Sequence, residues 1–128
     1  MSPATGPQAG VVGIAVADDF SIVFDTLDTS RKARNLAQDL RIALVIGGAG
    51  NGEEQTVQCE GLAERLESAD IRVVEELYFR VFPSGRDRLA WKGIMHLRVR
   101  PHWLRYSDFR TDPPTIIELD AARLARLE

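Results

Sequence analysis

The segment Thr29-Ser30-Arg31-Lys32-Ala33-Arg34-Asn35 concentrates the residue types most able to do chemistry in this 128-residue chain. Thr29 and Ser30 are good helix caps, and Arg31–Asp39 behind them carries apolar Ala33, Leu36 and Ala37, with Leu40 beyond. That spacing predicts a short helix with one narrow apolar face. Arg31, Lys32 and Arg34 then fall in or next to its first turn, where the helix dipole disfavours a cation by about 0.3–1 kcal/mol. A local rule broken in this way tends to mark a functional site. An anion would resolve the conflict. Free first-turn N–H groups, a hydroxyl, an arginine fork and a lysine ammonium together make a phosphate cradle. A basic cluster that merely solvates an exposed helix accounts for the same residues, and both readings stand at this level.

Other candidates carry weaker signals. His96 and His102 lie near strand ends without cysteine or carboxylate partners at metal spacing, so they read as surface or half-buried histidines. Cys59 falls in an alternating strand and reads as packing. Gly47-Gly48-Ala49-Gly50-Asn51-Gly52 follows a strand but opens no helix and holds no lysine, so it reads as a loop. Trp91 and Trp103 could stack on a planar ligand, although core or interface packing explains them as well.

The elements that must position these residues are mostly strands. Val11–Val16 is a nearly continuous apolar run that predicts a buried strand, and Asp18-Asp19 a turn into Ser21–Asp25. Ile42–Ile46 predicts a third strand and Gly47–Glu54 a loop. Gln55–Leu66 alternates, and Val57, Cys59 and Leu62 share a face if Gly61 carries a bulge. Ser68 is placed to cap a helix whose stripe is Ile71, Val74, Leu77, Tyr78 and Val81, ended by Pro83-Ser84-Gly85. Met95–Val99 and Trp103–Ser107 predict two strands joined around Pro101, with Arg98 and Arg100 on one face. Thr115–Leu119 predicts a last strand, with Asp120 capping a C-terminal helical tail. These elements give an α+β, strand-dominated domain over residues 11–120, a tail or loop over 1–10 and a helical tail over 121–128. A small barrel or curled sheet fits them better than a doubly wound fold.

Composition narrows the function classes. With 45% hydrophobic and 27% charged residues the chain reads as globular. A net charge of −3 argues against nucleic acid as a partner. No apolar run approaches the roughly 20 residues of a membrane span. A lone cysteine and an N-terminus without signal-peptide character favour the cytoplasm.

The order of these segments resembles the pyridoxamine 5'-phosphate oxidase-like, FMN-binding split-barrel superfamily. The resemblance runs through SIVFDT, LDTSRKARNL, RIALVI, QTVQCEG and LRVRPHWLRYSDF, over roughly residues 8 to 120. It implies a six-stranded Greek-key barrel and a homodimer with FMN, or a deazaflavin, in a groove between subunits. Carried over by position, Ser30, Arg31 and Lys32 would hold the cofactor phosphate. Asp25 and Thr26 match a Tyr-Thr pair, Thr56 stands where a glutamine often reaches the flavin, and Val12 and Ile14 match the apolar strand beside the ring. The implied function is a flavin- or deazaflavin-dependent oxidoreductase of unassigned substrate. A non-catalytic binder of a flavin or other phosphate compound, and a dimeric barrel that has lost its cofactor, are the alternatives.

The departures are specific. The family's phosphate-binding arginine before the first hairpin strand is Gly10 here, and Asp25 sets a negative charge near the expected phosphate. The flavin-contacting tryptophan aligns near Ser107. The Arg-Leu-His-Asp-Arg substrate stretch of true pyridoxamine phosphate oxidases is absent, which argues against that activity. Relatives of this type usually carry a helix and a strand before the point where this sequence begins, so the resemblance implies either a start upstream of Met1 or a barrel that lacks one strand.

Overall fold

The computed structural model describes residues 8–47, 54–66 and 68–127. Residues 1–7 of the expected tail over 1–10, residues 48–53 of the expected loop and the side chain of Ser68 lie outside them. The described chain runs β1 (Ala15–Val16), β2 (Ile22–Leu27), α1 (Arg31–Gln38), β3 (Arg41–Gly47), β4 (Gln55–Arg65) and α2 (Ser68–Val81). A 3-10 helix (Pro83–Ala90), β5 (Ile94–Asp108), β6 (Thr115–Asp120) and α3 (Ala121–Leu127) follow. The strands hydrogen-bond in the order β1-β2-β5-β4-β3, with β6 on β5. The β1/β2, β2/β5 and β5/β6 pairs are all antiparallel. The fold is thus α+β and strand-dominated. Two compact units divide the chain, residues 1–42 with 62–100 and residues 43–61 with 101–128.

In the first unit the β1–β2 hairpin turns where its sequence predicts. The Ala17 N–H donates to the Ser21 carbonyl at 2.9 Å, and the Asp19 carboxylate accepts from both the N–H and the hydroxyl of Ser21. The first strand is shorter than expected: of Val11–Val16 only Ala15 and Val16 pair, with Val23 and Ile22. Upstream, Gly13 lies against the Phe82 ring so closely that a Cβ would stand 2.6 Å from its Cζ. Packing against the end of α2 replaces ladder pairing there, and the missing side chain permits it.

The core of this unit forms where α2 covers the hairpin. Val74, Tyr78 and Phe79 of α2 cluster with Ala15, Val23 and Leu66, flanked by Ile71, Leu77 and Phe82. Burying a side chain of this size contributes about 1.5–3 kcal/mol. The expected helix stripe holds except at its end, where Phe79 turns inward and Val81 stays half exposed.

Two strand expectations need correction. No offset at Gly61 is needed to explain β4: Cys59, Gly61 and Ala63 are buried in regular alternation while Leu62 faces out. And the two strands expected around Pro101 are one continuous strand, β5. Residues 94–99 of β5 pair with β2 and residues 103–108 pair with β6, so Pro101 falls between the two ladders, where its missing N–H leaves no rung broken in either.

In the second unit β6 pairs with β5 from Trp103↔Asp120 to Asp108↔Thr115. Asp120 accepts from the Arg123 N–H at 2.9 Å and so caps α3, whose Leu124 is buried. The Gln55 amide donates to the Tyr106 hydroxyl at 2.8 Å, and the Phe109 N–H to the Glu54 carbonyl at 2.9 Å. Gly47 takes a positive φ of +90°, and a Cβ there would stand 2.6 Å from the Gln55 carbonyl oxygen.

Candidate functional site

The start of α1 is built from local rules. Ser30 sits in extended backbone (φ −68°, ψ 154°), and its hydroxyl accepts from the Ala33 N–H at 3.0 Å. Its carbonyl accepts from the Arg34 N–H at 3.1 Å, and its own N–H donates to the Leu27 carbonyl at 3.0 Å. The buried hydroxyl of Thr26, at the end of β2, lies 2.8 Å from the Ser30 hydroxyl. Thr26 thereby fixes the cap to the strand before it. Ala33, Asn35 and Leu36 are the residues α1 buries, and the Asn35 amide donates to the Gln8 side chain. Ala37 and Leu40, expected on the apolar face, are exposed instead. The helix ends where Asp39 turns extended and its N–H closes on the Asn35 carbonyl.

The first turn of α1 contains no acidic residue. Arg31 and Arg34 are exposed and Lys32 half-buried, and among the described residues none of them forms an ion pair. Ser30 occupies the Ala33 N–H, so the N–H groups of Arg31 and Lys32 are the orphan donors of the turn among the described residues. Two cations, two unpaired N–H groups and a hydroxyl thus belong to one helix turn, without a negative partner among the described residues. An anion with several oxygens matches that set in charge and in donors.

Asp25 and Thr26 are neighbours in sequence but serve opposite faces of β2, as strand alternation requires. Thr26 meets α1. Asp25 meets α2 and the 3-10 helix: its Oδ2 accepts from Arg88 Nε at 2.7 Å and its Oδ1 from the Tyr78 hydroxyl at 3.2 Å. Arg88 Nη2 also lies 3.4 Å from the Tyr78 oxygen. Burial, and the Asp25 charge beside it, push the Tyr78 hydroxyl above its ordinary range.

His96 lies directly across the ladder from Asp25. It is buried, not the surface or half-buried residue that its sequence position suggests. Its ring stands edge-on to Tyr78 and Phe79, with centroids 5.4 and 5.7 Å away, and its Nδ1 is 3.8 Å from a Glu75 oxygen. Its buried Nε2 has no hydrogen-bond partner among the described residues. Burial pushes its pKa down, more strongly than Glu75 and Asp25 raise it.

The remaining residues fall in several places. Val12 and Ile14 are half-buried in the first unit, ahead of β1. Thr56 belongs to the second unit, half-buried on β4. Ser107 is buried on β5. Cys59 is buried, and desolvation pushes its thiol up to about 11, so it is protonated and inert at neutral pH. Among the described residues no cluster of histidine, cysteine and carboxylate side chains could hold a metal. The sequence reading missed the Asp25, Tyr78, Arg88 and His96 cluster. Its members come from four separate elements, and no local spacing betrays them.

Comparison with known proteins follows the same lines. Residues 2–106 match the family described as pyridoxamine 5'-phosphate oxidase. Among solved structures, a heme binding protein from Mycobacterium smegmatis superposes with TM-score 0.79 at 19% identity, over 98% of this chain and 52% of its own. The protein Atu2129 from Agrobacterium tumefaciens gives 0.78 at 19% identity, over 97% and 51%. A pyridoxamine 5'-phosphate oxidase-related, FMN binding protein from Nostoc punctiforme gives 0.68 at 10% identity, over 93% and 77%. This chain therefore spans about half the length of the first two. No curated protein matches it. The family match covers most of the chain and takes in the α1 start, so the chain belongs to the pyridoxamine 5'-phosphate oxidase family and has its strand-dominated split-barrel fold.

Proposed function

We propose that this chain binds the phosphate of FMN, or of a deazaflavin, at the start of α1, and that it works as a flavin-dependent oxidoreductase. The observation that carries the reading is the α1 first turn, capped by Ser30, bearing Arg31 and Lys32, and free of acidic residues. Arg31 and Lys32 supply charge-assisted hydrogen bonds and the helix N–H groups add their partial positive charge. Thr26 holds the Ser30 hydroxyl in place. Val12 and Ile14 are assigned to the apolar strand beside the ring, and Thr56 to the position from which the family's glutamine often reaches the flavin. A bound flavin would supply the hydride chemistry, and the protein grip and orientation.

The working unit is taken to be a cytoplasmic homodimer. Val45, Ile116 and Ile117 are at least 45% exposed on strands of the second unit, apolar side chains that a second copy would help to cover. Among the described residues no helix is long and apolar enough to cross a membrane.

The test is a spectrum of the purified protein followed by titration with FMN. Flavin absorbance or saturable FMN binding supports the reading, and turnover with a reduced nicotinamide donor then separates an enzyme from a non-catalytic binder. Failure to bind any phosphate compound would leave the barrel without a cofactor.

A further inference from the structure

We propose that Arg88 is a positioning residue for the anion site at the start of α1. It ties down and cancels the Asp25 carboxylate on the far face of β2, so that a phosphate beside Thr26 and Ser30 meets no uncompensated negative charge. This rests on the reading of Ser30, Arg31 and Lys32 given above.

Asp25 is a mostly buried carboxylate that opposes an anion there, since it immediately precedes Thr26, whose hydroxyl meets that of Ser30. Its side chain is only 13% exposed, so water and salt screen it weakly. Both of its oxygens are engaged, Oδ2 by Arg88 and Oδ1 by Tyr78. Of those partners Arg88 carries the charge. Buried His96, across the ladder, is held toward its neutral form by desolvation. Asp28, the other carboxylate of the β2–α1 connection, is exposed and left to solvent screening. Arginine suits the task, because it stays charged at every relevant pH and its planar fork reaches Asp25 and Tyr78 together. An aspartate where relatives carry tyrosine thus acquires, from the 3-10 helix, the cation that makes it tolerable.

The experiment compares wild type, Arg88→Met, Asp25→Asn, the double variant and Arg88→Lys. Each is titrated with FMN and with inorganic phosphate at low and physiological salt, alongside thermal melts. Arg88→Met should weaken FMN binding about three- to tenfold, more at low salt, as one unscreened charge near the site would. The double variant should recover to within about twofold of wild type while still melting low, because the charge is gone although the tie is not restored. A double variant as weak as Arg88→Met would make Arg88 a packing residue and overturn the proposal, as would wild-type affinity in Arg88→Met. If Arg88→Met does not fold, Arg88→Lys decides. Retained affinity at a lowered melting temperature supports the charge role, and affinity lost in step with stability overturns it. Wild type binding neither FMN nor phosphate defeats the α1 reading and this proposal together. Wild type binding with either overturning pattern defeats only the role of Arg88.

Discussion

The two faces of β2 handle charge in opposite ways. On the Thr26 face, Arg31 and Lys32 stand at a helix start that disfavours them, without an ion-pair partner among the described residues. On the Asp25 face the strand carboxylate is answered: Arg88 and Tyr78 engage Asp25, while Glu75 lies beside a His96 that burial holds toward its neutral form. The difference lies in purpose more than in amount of charge. A balanced cluster stabilises the fold and has nothing left to offer a ligand. An unbalanced one costs the free protein stability and is repaid only when something binds.

The sharpest way to break the contrast is to remove the unbalanced cations. Arg31→Ala with Lys32→Ala should lower FMN affinity at least about tenfold, since each charge-assisted bond contributes about 1.5–3 kcal/mol. The melting temperature should hold or rise, because two cations leave a helix N-terminus. A mutant that melts higher with unchanged ligand binding would show an ordinary solvated helix.

Ser30→Ala cuts into both stability and binding on that face. It removes the cap of α1 and leaves the buried Thr26 hydroxyl without its partner, for a loss of about 1–2 kcal/mol by denaturant melts. Ser30→Thr should restore most of it.

The balanced face should announce itself through acid. Burial lowers the His96 pKa below its ordinary value of 6.5, so the unfolded chain takes up the proton first as pH falls. Stability contributed by neutral His96 is complete above that value and declines below it, by up to about 1.4 kcal/mol per pH unit. Melts between pH 7.5 and 5 should lose much of this slope in His96→Gln. An unchanged slope would place the acid response elsewhere.

Tyr78→Phe should have the smallest effect. Losing the hydroxyl bonded to Asp25 should cost about 0.5–1.5 kcal/mol and leave FMN affinity alone, because Arg88 still carries the charge. A change in affinity would mean that the two faces are coupled through the tyrosine.

How much of this is legible in the sequence depends on how local the cause is. The α1 start is legible because a cap, a basic turn and an apolar spacing lie within a few residues, and the helix ends within one residue of expectation. The hairpin turn at Asp18-Asp19 is legible for the same reason. The shortening of β1 is not, since the ring that displaces it, Phe82, comes from the far end of α2. The unity of β5 is hidden because proline reads locally as a break, and only the placing of two ladders shows that it interrupts neither. The partner of Asp25 is hidden as well: nothing near position 88 announces that its arginine faces β2.

The long strand β5 also sets an order of assembly. Its C-terminal half pairs with β6 across a short connection, whereas its N-terminal half must find β2 from most of the chain away. Closing the short loop costs less chain entropy and can happen early, while the distant pairing waits on collapse around α2. Pulse-labelled amides should therefore be protected first in Trp103–Asp108 and β6 and later in Ile22–Leu27, and the reverse sequence would refute this order. The strand that ends at the candidate cradle is then among the last to lock, and a ligand at the start of α1 would meet its site only when folding is nearly finished.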